Sequence, residues 1–507
     1  MNWLLALVPL LPLLAAAAIA VHILSGRAQG DDAEPVTARL ATGATGLSVL
    51  LLLIADGLAL ATGTPGHLHL ADWFASGSLR IPISFSADAL ALSLASLACL
   101  LLFLTQRFAV NYLHREAGFH RFFLGLSLFA SGMLLILLAG NAALAFVGWE
   151  LAGLSSWMLI GYAQDRPVAT GNALRAFVIN RIGDAGFILG IGLAWIWLGS
   201  MEWPAVGEAG RLDTLNAALL ALGFVLAALA KSAQVPFAPW IARALEGPTP
   251  SSAIFYGAVM VHAGVYLLLR LEPLLLQSPA VLVLIALLGG LTAVYGWLAG
   301  YAQTDVKSGL MFATTTQVGL MFLWIGLGLF PLAAWHLALH AMFRAWQFLA
   351  SPSYMHMVRN AAPPPPAWLG RCPGLYRAAL QRFWLEPLAD WLLLRPTRSL
   401  ARDVRDLDDR VLSRLVGLPD QVKVAAFSER RETEADVIRG HGLAGGAMAW
   451  LAGHLHRFEE RLVLQPGGGV FTVFLKRLGE LLRGVEGLLE RPRYLLLLIM
   501  ATLVVIL

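Results

Sequence analysis

Lys231-Ser232-Ala233-Gln234-Val235-Pro236-Phe237-Ala238-Pro239-Trp240 follows an unbroken apolar run from Ala217 to Ala230. The run suits a bilayer-spanning helix, and the ten residues after it cannot continue one. Two prolines at this spacing interrupt the hydrogen-bond ladder, so the helix is expected to break between Gln234 and Trp240. A break frees backbone groups, which are tolerated at membrane depth only beside protein or water. A lysine placed there is an amine whose protonation responds readily to desolvation. The alternative for Lys231 is a lysine that snorkels from a helix end.

The rest of the chain fits a membrane setting. Of 507 residues, 58% are hydrophobic and 13% charged, against about 25% charged in a soluble domain. The deficit falls in the first 350 residues. A spanning helix needs about 20 apolar residues. Stretches of that kind recur near 3–24, 38–60, 85–106, 122–140, 143–162, 175–198, 214–232, 250–270, 278–299, 307–327 and 331–350. A further, short span is expected at 493–507, whereas 442–453 is too short and is broken by glycines. The expected fold is an all-α, polytopic transmembrane bundle of about 12 spans with a broken helix. It divides into a membrane domain at 1–350, a linker with amphipathic helices at 351–492, and an anchor at 493–507. Leu4 to Leu24 lacks a basic leading segment and reads as a retained helix, not a cleaved signal.

Loop charge sets the orientation. One set of alternate loops carries Arg27, Arg39, Arg107, Arg115, Arg121, Arg166, Arg175, Arg243 and Lys307, and the other little beyond Arg80, Arg211 and Arg270. The positive-inside rule puts the first set in the cytoplasm. The N terminus is then periplasmic, and residues after 351 are cytoplasmic. The net charge of +4 comes from such loops and does not point to nucleic acid. Cys99 and Cys372 lie in an apolar helix and a polar segment, so neither a disulfide nor a zinc site is expected. The sequence has no Gly-rich nucleotide loop, Cys cluster or nucleophile elbow. No cofactor or metal is expected in this chain, and electron transfer would have to occur elsewhere.

Residues 351–492 open on Pro363-Pro364-Pro365-Pro366, a stiff extended linker. From Leu375 to Val416 the bulk of Phe383, Trp384, Leu388, Trp391 and Leu392 mixes with Arg395, Arg398, Arg402 and Arg405. That pattern suits a helix lying on the membrane surface or on a partner, or a solvated cytoplasmic helix. Pro387 and Pro396 are expected to kink or divide it. Residues 420–440 read as a charged loop, and 471–490 as a second amphipathic helix.

A charge at mid-membrane is costly and usually faces protein or a water-filled path. Glu150, flanked by apolar residues, is one candidate; it is either a relay carboxylate or a structural partner to one base. Arg181 and Asp184, three apart, share a helix face and can pair; the pair either serves a relay or only makes the helix insertable. Lys231 is the third. His262 lies in the span opened by Gly247-Pro248-Thr249-Pro250, where Thr249 can cap and Pro250 suits the first turn. Histidine titrates near physiological pH, though a lone one can be a packing residue. His336, His340 and Arg344 recur every four residues on one face, as a hydrated line or as packing, with Arg344 able to snorkel. Lys307 has the same two readings.

These motifs closely resemble the antiporter-like family of complex I subunit L and the Mrp-type subunits. The resemblance rests on Lys231 to Leu269, Phe146 to Tyr162, Ala176 to Gly186 and Thr304 to Phe322, with Asp88 in its expected place before the third span. It implies that Glu150 and Lys231 form a switchable pair coupled to proton movement, with His262 and Lys307 extending a hydrated line. Three departures stand out. Tyr256 replaces a histidine near the start of the eighth span. The family's HxxxK reads His340 to Arg344, and arginine does not release a proton. The second broken helix and the span after it are missing, which implies a shortened relative in the bacterial inner membrane. Shortened relatives of the DabB type couple inorganic-carbon accumulation to a large cytoplasmic, zinc-containing DabA-type subunit resembling carbonic anhydrase. Three readings stay open: a coupling subunit of that kind, a proton-pumping component among other complex I-like membrane subunits, and a non-conducting scaffold.

Overall fold

The computed structural model describes residues 2–77, 79–208, 212–351, 365–404 and 454. Among these, ten helical segments are long and apolar enough to cross a membrane, one of them the interrupted stretch Thr249–Arg270. Pro363, Pro364, Arg405, Arg211, the expected loop at 420–440, the run 442–453, the helix at 471–490 and the anchor at 493–507 lie outside the described residues.

The unit Met1–Asp390 begins with α1 (Asn2–Leu24) and α2 (Glu34–Thr62), then β1 (Gly66–Ser76) and β2 (Leu79–Ala87). It continues through α3 (Ala89–Tyr112), α4 (Phe119–Leu138), α5 (Ala142–Ile160), α6 (Pro167–Leu198) and α7 (Thr214–Lys231). After a short stub, α8 (Pro239–Arg243), and a second interrupted segment come α9 (Ala263–Arg270), α10 (Pro279–Tyr301), α11 (Val306–Gly326) and α12 (Phe330–Leu349). Short polar side chains start several of these. Asp88, Asn141, Asp213 and Asp305 each accept a hydrogen bond from the backbone N–H three residues on, satisfying a donor the helix cannot. α12 is long enough to span, but His336, His340, Arg344 and Gln347 lower its apolar character.

Within the first 350 residues, four expectations need correction. The span placed at 85–106 starts at Ala89 and runs to Tyr112, because residues to Ala87 belong to an antiparallel hairpin with β1. In β1 the alternation of His67 to Leu70 is interrupted by register shifts between His69 and Ala71 and between Asp72 and Phe74, and its outer half, Ala71 to Ser76, is exposed. The span at 250–270 is not one helix. Thr249–Ser252 is α-helical, Ala253–Ala258 is a π-turn, Val259 leaves helical geometry at φ −149, and Met260–His262 is a 3₁₀ turn before α9. Thr249 does not cap; its hydroxyl is taken by Lys307 Nζ at 2.6 Å and Tyr112 Oη at 2.9 Å. Arg344 does not snorkel, being 6% exposed.

The expected break after Lys231 is present, and its backbone groups are met by side chains. The Ala230 carbonyl accepts from Trp240 Nε1 at 2.8 Å, and Val235 N–H donates to Thr292 Oγ1 of α10 at 3.0 Å. The two interruptions also brace each other. Ser232 Oγ donates to the Val261 carbonyl at 2.7 Å, and Tyr256 Oη donates to the Ile241 carbonyl at 2.8 Å. Close approach makes this possible: a Cβ on Gly264 would stand 2.3 Å from Ser232 Oγ and 2.4 Å from the Ala228 carbonyl. A similar approach brings Gly148 on α5 to the Gly132 carbonyl on α4, 2.6 Å from a built Cβ, two residues before Glu150.

The segment after residue 364 folds onto α10 and α11. Trp368 stacks on Trp297 at 5.4 Å, and Phe383 meets Tyr295 at 6.1 Å. It divides at Arg382, Phe383 and Trp384, all with φ near +50, and not at Pro387. Pro387 falls in the first turn of Leu385–Ala389, where its missing N–H has no partner to lose. In the unit Trp391–Leu507, residues 391–404 are helical through Pro396.

Gly264→Ala is expected to destabilise the folded protein by about 1–3 kcal/mol, since the brace must open to admit a methyl group. Gly171→Ala, within α6 and with no neighbour inside 4 Å, is expected to raise stability by up to about 1 kcal/mol. Thermal unfolding of the two purified variants checks both signs.

Candidate functional site

α5, α6 and α7 bring four of the expected residues together. Glu150 pairs with Arg181, and Arg181 Nε stands 3.1 Å from Asp184 Oδ2, the three-residue pairing read from sequence. Arg181 also lies over the Phe177 ring at 4.5 Å. Asp184 accepts from Trp149 Nε1 at 2.9 Å and is 3% exposed. Lys231, 1% exposed, donates to the Trp149 carbonyl at 3.3 Å and sits 4.9 Å from the Trp149 ring centroid.

Gly153, one turn beyond Glu150, leaves the space these cations fill. Its built Cβ would lie 3.0 Å from Arg181 Nη2 and 3.4 Å from Lys231 Nζ. Arg181 therefore stands among the carboxylates, and among the described residues no carboxylate lies within 4.0 Å of Lys231 Nζ. With every group charged, the four side chains sum to zero. Arginine keeps its proton, so the mobile charge in the cluster belongs to Lys231 and the two acids. Trp149 was not singled out from sequence, although its position beside Glu150 would place its indole on the same turn.

The two breaks lead from this cluster to a second one. Ser232 adjoins Lys231 and Val261 adjoins His262, so the Ser232–Val261 hydrogen bond joins the two. His262 Nε2 and His340 Nδ1 are 2.9 Å apart, and Arg344 Nε donates to His340 Nε2 at 3.4 Å. The guanidinium can only donate, which fixes the tautomers in turn. His340 Nε2 accepts, so its proton sits on Nδ1 and is donated to His262 Nε2. His262 then carries its own proton on Nδ1, a buried atom with no partner among the described residues. A pocket lined by Leu94, Ala98, Met133, Leu137, Tyr266 and Leu337 borders His262. His336 continues the line at 6.2 Å between ring centroids, holding Gln317 Oε1 at 2.8 Å.

Lys307 stands apart from both clusters, on the Thr249 hydroxyl that Tyr112 also meets. Tyr256 is fully buried and braces the stub α8, so it takes no part in the histidine line. Arg270, unremarked in sequence beyond its charge, forms a fork on Asp88 and bonds the Tyr266 hydroxyl at 3.0 Å. No group of three or more metal-ligating side chains is present among the described residues.

Residues 139–362 match the family described as NADH:quinone oxidoreductase/Mrp antiporter, transmembrane. Residues 73–123 match the N-terminal part of chain 5 of NADH-ubiquinone oxidoreductase (complex I). The chain is 34% identical over 361 residues to NAD(P)H-quinone oxidoreductase chain 5 of Synechocystis sp., covering 69% of this chain and 52% of that protein. It is 36% identical over 366 residues to NADH-quinone oxidoreductase subunit L of Mycobacterium tuberculosis, covering 71% of this chain and 56% of that one. The chain thus spans about half the length of the curated relatives it matches. Its fold is similar to that in the structure of the Mrp complex from Dietzia sp., at a TM-score of 0.61 and 23% identity over 90% of this chain and 46% of that one. It is also similar to an archaeal membrane-bound sulfane sulfur reductase structure, at a TM-score of 0.58 and 20% identity over 68% of this chain and 70% of that one. With the broken helices, the buried lysine and these matches together, the chain belongs to the complex I subunit L and Mrp-type antiporter family.

Proposed function

We propose that this chain is a proton-conducting subunit of the inner membrane, oriented with its N terminus in the periplasm, in which Lys231 takes up and releases the moving proton. The observation that carries this is a lysine buried at a helix break beside two acids already held by Arg181. The acids bias the ammonium without fixing it in a direct ion pair. A proton released from Lys231 has an adjoining route along His262, His340 and His336, while Glu150 and Asp184 stabilise the charged form. Arg344 anchors the line and does not relay. Lys307, on Thr249, is a further protonatable group at the end where α3 and α10 finish.

The energy of that movement is delivered to a partner. The first reading is inorganic-carbon accumulation with a large soluble, zinc-containing subunit resembling carbonic anhydrase. It is supported by the proline run that follows α12 in sequence and by the exposed aromatic side chains beyond it. Trp384 is 55% exposed and Trp391 63%, and interfaces favour such anchors. The second reading, a component of a complex I-like redox assembly among other membrane subunits, is supported by the names of the relatives.

Replacing Lys231 with Met or with Arg is expected to abolish proton uptake in vesicles at matched expression while the protein still inserts. Arginine keeps the charge but does not cycle its proton. An Arg variant that works as well as the parent would make Lys231 an electrostatic fixture. For the partner, hydrogen exchange over residues 375–404 with and without the copurified complex is expected to slow around Trp384 and Trp391. Equal exchange in both states would remove this segment as the docking surface.

A further inference from the structure

The first four helices carry a set of buried polar side chains that the broken-helix site does not use. α1 contains Pro9 and Pro12. Proline lacks an N–H, so Pro12 leaves the Val8 carbonyl without its helical partner. Ser48 Oγ of α2 donates to that carbonyl at 2.9 Å, and Ser131 Oγ of α4 donates to the Pro9 carbonyl at 2.8 Å. At this level every hydroxyl between α1, α2 and α4 is spent.

One turn nearer the α1–α2 loop the situation reverses. Thr45, Gln106 and Ser127 are each 0% exposed. Thr45 Oγ1, Ser127 Oγ and both amide atoms of Gln106 have no partner among the described residues. Helical spacing puts them in one interior. Ser127 lies four residues from Ser131 and seven from His120, so the three share a face of α4. Gln106 lies seven residues from Cys99 on α3, and the Cys99 thiol faces the Thr45 carbonyl at 3.7 Å. Further toward the loops, His120 Nδ1 meets Thr37 Oγ1 at 2.7 Å. The His22 ring stands edge-on to His120 at 6.2 Å, with His22 Nε2 buried and unpartnered among the described residues. Glu34, held by His114 Nδ1 at 2.7 Å and Arg115 N–H at 2.8 Å, forms a polar rim.

A buried amide with neither its donors nor its acceptor met is costly, and buried water is the usual remedy where several polar groups converge. We propose that α1–α4 enclose a blind, water-filled seam that opens at His22 and His120, passes Gln106, and ends at Ser127 and Thr45. From His120 to Ser127 it runs roughly 10 Å at the helical rise, enough for a short chain of ordered waters. Ser48 and Ser131 close its far end, so it is not a second route across the membrane. Two imidazoles line its mouth, and the seam is distinct from the Lys231 cluster.

Cys99 is the natural reporter, since it is 0% exposed and its thiol lies at the seam. In millisecond hydroxyl-radical footprinting of the full chain, read by mass spectrometry, radicals form from water and attack nearby thiols. Seam water is expected to oxidise Cys99 within about a hundredfold of the exposed Cys372. Gln106→Leu, and separately the smaller change Ser127→Ala, are expected to lower the Cys99 rate about tenfold by removing polar partners of the water, leaving Cys372 unchanged. A Cys99 that stays unoxidised in the parent, or is oxidised equally in both variants, would show a dry interior and overturn the proposal.

Discussion

The hydrogen bond from Ser232 Oγ to the Val261 carbonyl ties one interrupted helix to another, and the rest of the membrane domain is arranged around that tie. An interrupted helix at membrane depth exposes donors and acceptors that lipid cannot satisfy. Here each interruption is met by groups from its neighbours: Trp240 reaches back to Ala230, Thr292 takes the Val235 N–H, and Tyr256 holds Ile241. The tie requires α7 and α9 to approach to backbone contact, which Gly264 allows. Because Lys231 and His262 each adjoin one end of the bond, the feature that satisfies the backbone also sets the lysine beside the histidine line.

Electrostatics follow from the same geometry. A lone buried charge costs several kcal/mol, so a set of four that sums to zero is the arrangement a dry interior tolerates. What matters is how the partners are shared. Arg181 engages Glu150 and stands against Asp184, and Lys231 is left with a carbonyl and an indole face. A pair of like strength on every charge would be inert. An arginine that holds the acids while a lysine is held only by polar contacts leaves one group able to change its state. The histidine line has a comparable asymmetry: Arg344 orders the tautomers and directs the unpartnered N–H of His262 away from itself.

Sequence alone carried much of this and missed specific parts for physical reasons. Pro236 and Pro239 announced the first break, because proline removes a donor whatever its surroundings. The second break has no proline within it. Val259 leaves the helix under tertiary packing, where a Cβ on Gly257 would come within 2.5 Å of α12 backbone, and local sequence holds no signal for that. Arg181 and Asp184 paired as their spacing implied, whereas the sharing of Glu150 with Arg181 depends on how α5 crosses α6. The end of β2, Phe85 to Ala87, was read as the start of the third span because it runs directly into the apolar stretch that begins at Ala89. Asp88 was legible as a family position; its Arg270 partner, far along the chain, was not. Thr249 looked like a cap by position, and the Lys307 ammonium took the hydroxyl instead.

The account stands on Lys231 changing its charge during turnover. Nitrogen-15 spectroscopy of lysine-labelled protein in lipid, with Lys231 assigned by its loss in Lys231→Met, reads that state directly at Nζ. The account predicts that the Lys231 signal moves between ammonium and neutral amine when a proton gradient is imposed across the membrane. A Lys231 signal that remains ammonium at every gradient would contradict it.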